Sequence, residues 1–469
     1  MQVVAGQTRH VPESATKLAA FGIHARWARR NDRFMSEQAI ESPVRISALN
    51  ATIVDQAQPT RYAWFVLILL MLTYSFSWMD RFLLVILIDP ISKDLNVSDT
   101  QIGLLTGFGA SLLYSFSGFP IARMADRRSR STIIASVLGI WSGLTTVTAM
   151  VGSFFGLAVM RFGIAVASAG CSPAAYSLIS DYFPVHRRGT AIAIYSLGIS
   201  IGTWAGLSLG GFAADTLGWR NAFLVLGFPG LAFAAFMIFA VKDPVRGRFD
   251  GNTEEAHRHY SMADAVGFVL RHRGFMGIAF GFAFISCATS AFENWVPTYL
   301  IRAHGLSATE VGSVSGLAQG LMGIFGALAF GLLADRLARR DKRWYLWIPL
   351  ICAGIAGPLI VLFFQLPKSL SYASYFLIEL CVSGYSAPLF AASQMLLPPR
   401  LRAFGMATIL FVLNVIGQGM GSFLTGFASD LIGGTGGARG LGPAIMLMQT
   451  VGLLGAAALL YASRTFRRL

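Results

Sequence analysis

The sequence predicts an all-α membrane protein with twelve transmembrane helices arranged as two six-helix halves. Its 469 residues are 55% hydrophobic and only 13% charged, whereas soluble domains carry about 25% charged residues. Long apolar runs recur about every 30 to 40 residues, which is the spacing of successive membrane spans and their loops. Lysine and arginine concentrate in alternate loops. Together these observations exclude one large soluble core.

The formal net charge of +14 would favour nucleic-acid binding in a soluble protein. Here the basic residues predict topology instead. Of the 37 lysines and arginines, 30 fall in the tails, the linker and alternate loops, two lie inside spans, and five fall in the opposite loops: Lys93, Arg220, Arg302, Lys368 and Arg439. Basic loops stay in the cytoplasm. We therefore expect a bacterial inner (plasma) membrane protein with both termini cytoplasmic and no nucleic-acid partner.

Five segments follow from the polarity of the chain. A polar tail, 1–61, precedes the first half, 62–241; a polar linker, 242–273, leads to the second half, 274–463, and 464–469 form a second tail. The first tail lacks the apolar stretch of a cleavable signal and is expected to be disordered; Met35 is a second candidate start. The expected spans are 62–88, 101–122, 131–152, 154–179, 189–212, 220–241, 274–300, 310–333, 344–365, 372–396, 403–427 and 441–462.

Two motifs recur at matching positions of the two halves, which indicates an internal duplication. The first is an Asp-Arg pair after the second and the eighth span, 209 residues apart. The other follows the fifth span as Gly211-Phe212-Ala213-x-Asp215-x-x-Gly218 and returns 215 residues later as Gly426-Phe427-Ala428-x-Asp430-x-x-Gly433. Six spans, a linker and six more spans are the arrangement of parallel halves in secondary transporters.

The loops that carry the Asp-Arg pairs resemble the signature loop of the major facilitator superfamily. They read Ala122-x-x-x-Asp126-Arg127-x-x-Arg130 and Gly331-x-x-x-Asp335-Arg336-x-x-Arg339-Arg340. The resemblance implies the major facilitator fold and transport by alternating access. A helix-end aspartate can accept hydrogen bonds from a neighbouring helix. We expect a cytoplasmic latch made of Asp126, Arg127, Arg130, Asp335, Arg336 and Arg339; simple topological anchoring by the arginines is the alternative.

Within this superfamily the first half is similar to the spinster-type transporters. The residues that carry the similarity are Met79-Asp80-Arg81, Gln101-Ile102-Gly103-Leu104-Leu105, Phe119-Pro120-x-x-Arg123-x-Ala125-Asp126-Arg127, Arg161, Gly170-Cys171-Ser172-Pro173 and Ser180-Asp181-Tyr182-Phe183-Pro184. The resemblance implies a lipid-like or amphipathic anionic substrate and proton-linked gating by a first-span aspartate with an arginine and a glutamate of the fourth span. Ser168 stands where that glutamate is usual.

Charged residues inside spans are candidates for function, because each costs about 2.5–3.5 kcal/mol at a helix centre. They are Asp80, Arg81, Arg161, Glu293 and Glu379. Adjacent helical residues point about 100° apart, so we expect Asp80 to pair with Arg161 while Arg81 faces a cavity; snorkelling is the alternative for Arg161. Glu293 or Glu379 could replace the missing glutamate as proton carrier, or form a structural pair.

The remaining polar and small residues complete the expected site. Ser168, Asn414 and Gln418 are expected to line the substrate cavity with Arg81, and Gln319 could also line it. Hydrogen bonding between helices is at least an equal alternative for the three amides. The glycine ladder Gly198, Gly202, Gly206, Gly210 predicts close helix packing where the halves slide.

The four cysteines lie in apolar segments and show no C-x-x-C spacing: Cys171, Cys287, Cys352 and Cys381. They are predicted to be packing residues, with no metal site and no disulfide.

We therefore expect a monomeric secondary transporter among membrane lipids, with no cofactor and no enzymatic activity. It would move an organic or amphipathic anion, together with protons. A symporter or exporter of a small aromatic or sugar acid is the alternative, since Arg81 and Arg161 suit carboxylate and phosphate equally. A non-transporting membrane sensor is the alternative of another class, for which the tails and linker provide no large soluble domain.

Overall fold

The computed structural model describes residues 59–244, 262–398, 401–434 and 437–466. The first half contains six helical rods. They are α1 (Arg61–Ile86), α2 (Asp99–Gly103, Leu104–Phe108 and Gly109–Arg127), α3 (Arg130–Thr148), α4 (Phe154–Ser168 and Cys171–Tyr182), α5 (Val185–Leu217) and α6 (Trp219–Ala240). A short helix, Ile88–Leu95, joins α1 to α2.

The second half repeats this arrangement. Its rods are α7 (Arg273–His304), α8 (Ala308–Gly316, Leu317–Leu321 and Met322–Ala338), α9 (Trp344–Phe363), α10 (Lys368–Ser383 and Ser386–Met395), α11 (Arg402–Val412, Leu413–Met420 and Gly421–Gly433) and α12 (Ala438–Phe466). A short helix, Met262–Arg271, precedes α7. The predictions for the tail 1–58, for linker residues 245–261 and for 467–469 fall outside the described residues.

Eleven of the rods are long and apolar enough to cross a membrane. The rod outside this group, α2, is divided by a π-helical turn in which Gly107 leaves the helical region of φ and ψ. Large apolar side chains such as Met150 (83% exposed) and Phe239 (82%) point away from the core. Such surfaces are stable in lipid and unstable in water. The prediction of an all-α, multi-pass membrane protein of twelve helices is confirmed.

Serine caps start α2 and α8 in the same way. Ser98 accepts a hydrogen bond from the backbone N–H of Gln101 at 3.2 Å, while the Gln101 side chain accepts one from the Ser98 N–H at 3.0 Å. At the repeat-related position, Ser307 accepts from the N–H of Glu310 at 3.1 Å. Each cap satisfies helix N–H groups that have no intrahelical partner. Both rods therefore begin at the same face of the bundle.

We call this side the clasp face and the opposite side, which holds Lys242–Pro244 and His272, the linker face. The halves meet along two helix pairs, α5 with α8 and α2 with α11. Small residues allow the approach: a Cβ added to Gly107 would lie 2.8 Å from the Ser422 Cβ, and one added to Gly312 would collide with the Leu207 carbonyl. Backbone-to-backbone packing of this kind permits tight yet reversible contact.

The glycine ladder of α5 has a different place from the one expected. Gly198, Gly202 and Gly206 pack against the backbone of α1, where a Cβ on Gly202 would collide with the Ser75 carbonyl oxygen. The expectation that the halves slide on this ladder is therefore wrong, because α1 and α5 belong to the same half. In the second half, α11 packs on α7 in the same manner, with Gly421 against Cys287 and Ser290. The four cysteines are buried and free.

Candidate functional site

Asp80 and Arg161 form a buried ion pair between α1 and α4. The Arg161 Nη1 donates to Asp80 Oδ2 at 3.2 Å, and the Thr145 hydroxyl of α3 donates to Asp80 Oδ1 at 2.6 Å. Each carboxylate oxygen thus has a donor, and three helices of one half converge on the group. The adjoining cavity has a volume of about 10 Å³, which holds one water at most. Asp80 is therefore placed for charge pairing, and the cavity that it lines is too small for an organic solute.

Arg81, the next residue, points in a different direction. Its guanidinium lies 5.2 Å from the ring centroid of Trp78, a cation–π contact. Arg81 is half-buried, and it interacts electrostatically with Tyr74, Tyr114 and, across the boundary between the halves, Glu293. No ion pair within 4.0 Å joins it to a carboxylate among the described residues. Arg81 is thus a cation between the halves that keeps capacity for a further anion.

An aromatic wall accompanies this cation and was not predicted from the sequence. Tyr74 and Trp78 are half-buried on the same stretch of α1. The Tyr74 ring stacks on Tyr195 of α5 with centroids 4.6 Å apart, and Tyr176 meets Tyr195 edge-on at 5.4 Å. Aromatic faces offer apolar area with polar tips. The sequence did contain a signal for this wall, because Tyr74 and Trp78 are four residues apart, about one helical turn, and close to Arg81.

A second polar cluster lies in the other half around Glu379. This glutamate is only 3% exposed, and its Oε1 has no hydrogen-bond partner. It interacts electrostatically with Glu293. Gln319 donates to the Tyr375 hydroxyl at 2.9 Å and to the Glu293 carbonyl at 3.1 Å, which ties α8 to α10 and α7. Gln319 therefore forms hydrogen bonds between helices, which is one of the two roles considered for the amides; lining the substrate cavity is the other.

The remaining predicted cavity residues lie apart from the Asp80 pair. Ser168 ends the first piece of α4 and donates to the Ala165 carbonyl of its own helix at 3.1 Å. Asn414 and Gln418 are half-buried in the π-helical segment of α11. Among the described residues, neither amide side chain forms a hydrogen bond. The amides keep donors and acceptors for a ligand, whereas Ser168 is satisfied locally.

Where the side chains of the predicted latch residues are described, their contacts stay within one half in this conformation. Arg130 is buried and donates to Asp181 and to the Ser177 hydroxyl (3.0 Å), while Asp243 accepts from the Arg130 backbone N–H at 2.8 Å. This network fixes α3, α4 and the start of the linker. The side chain of Asp126 lies outside what is described, and Arg127 is exposed.

In the second half, Asp335, Arg336 and Arg339 are exposed at the linker face. Asp335 accepts a hydrogen bond from the Tyr345 hydroxyl of α9 at 2.8 Å. The hydrogen bonds and ion pairs described between the two halves all lie toward the clasp face. The linker face is therefore the less connected of the two sides in this conformation.

The second repeated motif forms two symmetric clasps between the halves. Asp215 of α5 accepts from the backbone N–H groups of Ala308 (3.3 Å) and Thr309 (2.7 Å) at the start of α8. Asp430 of α11 accepts from those of Asp99 (3.2 Å) and Thr100 (2.8 Å) at the start of α2. Each carboxylate thus binds the positive end of a helix in the other half. The sequence revealed the repeat but gave no role for it.

An arginine adds an asymmetric contact beside these clasps. Arg302, in the last turn of α7, donates through Nε to Asp89 at 3.0 Å and through Nη1 to Asp99 at 2.9 and 3.0 Å. Ser429 of α11 donates to the same Asp99 carboxylate at 2.8 Å. The clasp face is therefore closed by two helix caps and one buried ionic cluster, which join the α1–α2 and α7–α8 connections and the ends of α5 and α11.

Known proteins match this architecture. A family model for the major facilitator superfamily matches residues 70–422. An MFS-type efflux pump of Mycolicibacterium smegmatis is 34% identical over 428 residues, which are 90% of this chain and 97% of that protein. A Bacillus subtilis protein named as a galactarate/D-glucarate transporter is 26% identical over 62% of this chain and 69% of its own length.

A solved structure extends the match to three dimensions. The crystal structure of a bacterial homolog to the human lysosomal transporter Spinster, in an inward-facing and unoccupied conformation, superposes with a TM-score of 0.80 and 26% identity, covering 88% of this chain and 99% of that one. These relatives are membrane transporters, which are not enzymes. The chain belongs to the major facilitator superfamily and to its spinster-like branch.

Proposed function

We propose that this transporter moves an organic anion by alternating access, and that Arg81 and Glu293 face the substrate from opposite halves. The observation that carries the proposal is their placement: each comes from a different half, they interact electrostatically, and neither has a direct ion pair among the described residues. A bound anion would compete with Glu293 for Arg81. Substrate charge would in this way be coupled to the attraction between the halves.

We further propose that the linker face is cytoplasmic and that the membrane is a bacterial inner membrane. The support is the strong excess of Lys and Arg at that face, which follows the positive-inside rule. With closure at the clasp face, the conformation would then be inward-facing. A reporter fused after Leu469 should report the cytoplasm, and one inserted at Asn96 or Ser307 the periplasm. A periplasmic reading after Leu469 would overturn this orientation.

The substrate we favour is an amphipathic, lipid-like anion. The guanidinium of Arg81 suits a phosphate or carboxylate. The half-buried rings of Tyr74 and Trp78, with the buried Tyr195 stacked behind Tyr74, suit an apolar body. The Mycolicibacterium smegmatis relative is named an efflux pump, which favours export. A small sugar acid is the second candidate, because of the match to the galactarate/D-glucarate transporter and because the free amides of Asn414 and Gln418 suit hydroxyl groups.

Proton linkage is the second part of the proposal, with Asp80 as the group that gains and loses the proton. The ionised Asp80 carboxylate holds the Arg161 guanidinium. A protonated Asp80 would release the guanidinium, and the Thr145 hydroxyl, which now donates to Asp80, would form a new hydrogen bond. Glu293 and Glu379 are the rival carriers. Glu379 is the stronger rival, since a buried carboxyl with an unpartnered oxygen is costly to ionise.

The test is uptake into liposomes with and without a pH gradient, using lysophosphatidic acid as the amphipathic anion and D-glucarate as the sugar acid. Asp80→Asn should abolish gradient-driven accumulation and spare exchange, since exchange moves no net proton. Glu293→Gln and Glu379→Gln test the rivals, and Asp94→Asn is the control, because Asp94 pairs with Arg220 at an exposed site.

Each outcome decides one part of the proposal. If Asp80→Asn accumulates substrate at the wild-type level, another residue couples transport to protons. If Glu379→Gln then loses gradient-driven accumulation, that residue lies in the second half. A wild type that ignores the gradient would refute proton coupling. Uptake of D-glucarate without lysophosphatidic acid would replace the favoured substrate by the second candidate.

A further inference from the structure

A cavity of about 430 Å³ opens at the clasp face and is lined by residues of the second half. Its walls come from the end of α7, the end of α9 and the start of α12. The lining residues are Tyr299, Arg302, Ala303, Phe364, Arg439, Gly442, Pro443 and Met446. The cavity therefore combines two arginines with two aromatic rings at the level where helices leave the membrane.

Neither arginine is fully used by protein partners. Arg302 engages Asp89 and Asp99 through Nε and Nη1, and none of the hydrogen bonds described for it uses Nη2. Arg439 is exposed and, in the part of the chain that is described, forms no ion pair. It also lies in the first turn of α12, which begins at Ala438, where the helix dipole disfavours a cation. An anion in the cavity would relieve this positive charge.

The other walls suit an apolar group. The Tyr299 and Phe364 rings meet edge to face with centroids 4.7 Å apart, and Met446 is half-buried beside them. Gly442 packs closely against both rings: a Cβ there would lie 3.2 Å from the Tyr299 ring and 3.5 Å from the Phe364 ring. Aromatic rings at a membrane boundary commonly lie against the upper part of lipid chains. The cavity thus offers an anion site next to an acyl-chain site.

We propose that this cavity binds the phosphate headgroup of an anionic phospholipid from the leaflet at the clasp face, with Arg439 as the principal ligand and Arg302 Nη2 as the second. Arginine binds phosphate through charge-assisted hydrogen bonds. The glycerol and first methylenes lie against Tyr299 and Phe364. Arg302 also keeps the clasp face closed through its bonds to Asp89 and Asp99. The bound lipid therefore lies on the side of Arg302 that faces away from these two carboxylates. The site is separate from the transport cavity and does not depend on the transported substrate.

The experiment measures binding of short-chain phosphatidylglycerol, phosphatidylcholine and inorganic phosphate to the purified full-length protein. Phosphatidylglycerol should bind, and Arg439→Gln should weaken it by about tenfold or more, the factor for one charge-assisted hydrogen bond. Arg220→Gln is the matched control. It removes one positive charge from the same face, where Arg220 pairs with Asp94 and stacks on Trp219, and should leave affinity unchanged.

A second variant separates the acyl-chain wall from the charge. Gly442→Leu brings a large side chain against the two rings and should weaken phosphatidylglycerol binding without altering net charge. Equal binding of phosphatidylcholine and phosphatidylglycerol, or full affinity in Arg439→Gln, would overturn the proposal. If inorganic phosphate alone binds as tightly as phosphatidylglycerol, a free-anion site replaces the lipid site and the lipid assignment is refuted.

Discussion

Arg302 of α7 and Asp99 of α2 form a two-pronged ion pair between the halves, with Arg302 Nη1 2.9 Å from one carboxylate oxygen and 3.0 Å from the other. The Asp99 side chain is fully buried and that of Arg302 is 5% exposed. Buried pairs are costly to break from one side, because the remaining charge stays without water or partner. Closure of the clasp face is therefore sensitive to this one arginine.

Replacing Arg302 by glutamine should open the clasp face. Asp99 would be left buried without a cationic partner in the closed state, and Asp89 would keep only Lys93. Such a loss costs about 3–5 kcal/mol, which opening to water relieves. The clasp-open population should rise by about 100-fold or more. The measurement is the labelling rate of Thr106→Cys by a membrane-impermeant maleimide added at the clasp face, since Thr106 contacts Ser422 across the closed boundary at 2.9 Å.

Arg220→Gln is the control for that experiment. Arg220 pairs with Asp94 at an exposed site within one half, so its loss should not alter the labelling rate. Equal rates in wild type and Arg302→Gln would show that the ion pair does not hold the face shut.

The two aspartate caps should contribute equally to closure. Asp215→Ala and Asp430→Ala each remove a helix cap worth about 1 kcal/mol, which raises the labelling rate of Thr106→Cys about fivefold. The double variant should show the product of the two effects, because the caps share no partner. Ser307→Ala is the comparison: it removes a cap within α8 alone and should lower the melting temperature without changing the labelling rate. A wild-type rate in either aspartate variant contradicts the clasp role.

The packing of α5 on α1 predicts opposite effects for two glycines of one helix. A Cβ on Gly202 would collide with the Ser75 carbonyl and lie 2.8 Å from the Trp78 Cβ, whereas one on Gly189 meets nothing within 4 Å. Gly202→Ala should destabilise the protein by about 1–3 kcal/mol through overpacking. Gly189→Ala should be neutral or stabilising by about 0.5–1 kcal/mol. Thermal unfolding in detergent measures both; a stabilised Gly202→Ala would refute this packing.

The latch hypothesis predicts slower transport without loss of insertion. Asp335→Asn removes charge-assisted hydrogen bonds worth about 1.5–3 kcal/mol from the state closed at the linker face, and should reduce the rate about tenfold or more. Tyr345→Phe removes only the hydrogen bond present in this conformation and should transport normally. The readout is initial uptake into liposomes at matched protein content. Full activity of Asp335→Asn would reduce the loop to a topology signal.

Hydropathy and charge position predicted the twelve rods well, because both report which segments can leave water. The direction of Asp80 toward Arg161 also followed from the sequence, since helical geometry separates Asp80 from Arg81 by about 100°. Arg302 was counted only as a basic residue of an opposite loop. Its role depends on Asp89 and Asp99, more than 200 residues away, and periodicity within one helix carries no information on such contacts.

The glycine ladder shows a second limit of the sequence. Its spacing correctly indicated close approach of another backbone, but spacing alone does not identify that backbone. The ladder faces α1, whereas Gly211, one residue beyond it, would meet the Ala308 carbonyl of the other half if a Cβ were added. A shift of a single helical position thus separates packing within a half from packing between halves.

The two clasps bind main-chain amides, and this affects how the family can diverge. Asp215 and Asp430 each accept two backbone N–H groups, at 308–309 and at 99–100, and one hydroxyl, from Thr309 and Thr100. The backbone part of each clasp is available to any residue except proline, whereas the threonines and the aspartates have few replacements. We therefore expect the connections that begin α2 and α8 to vary between related transporters at the residues that do not bind the aspartates, while the two clasps persist.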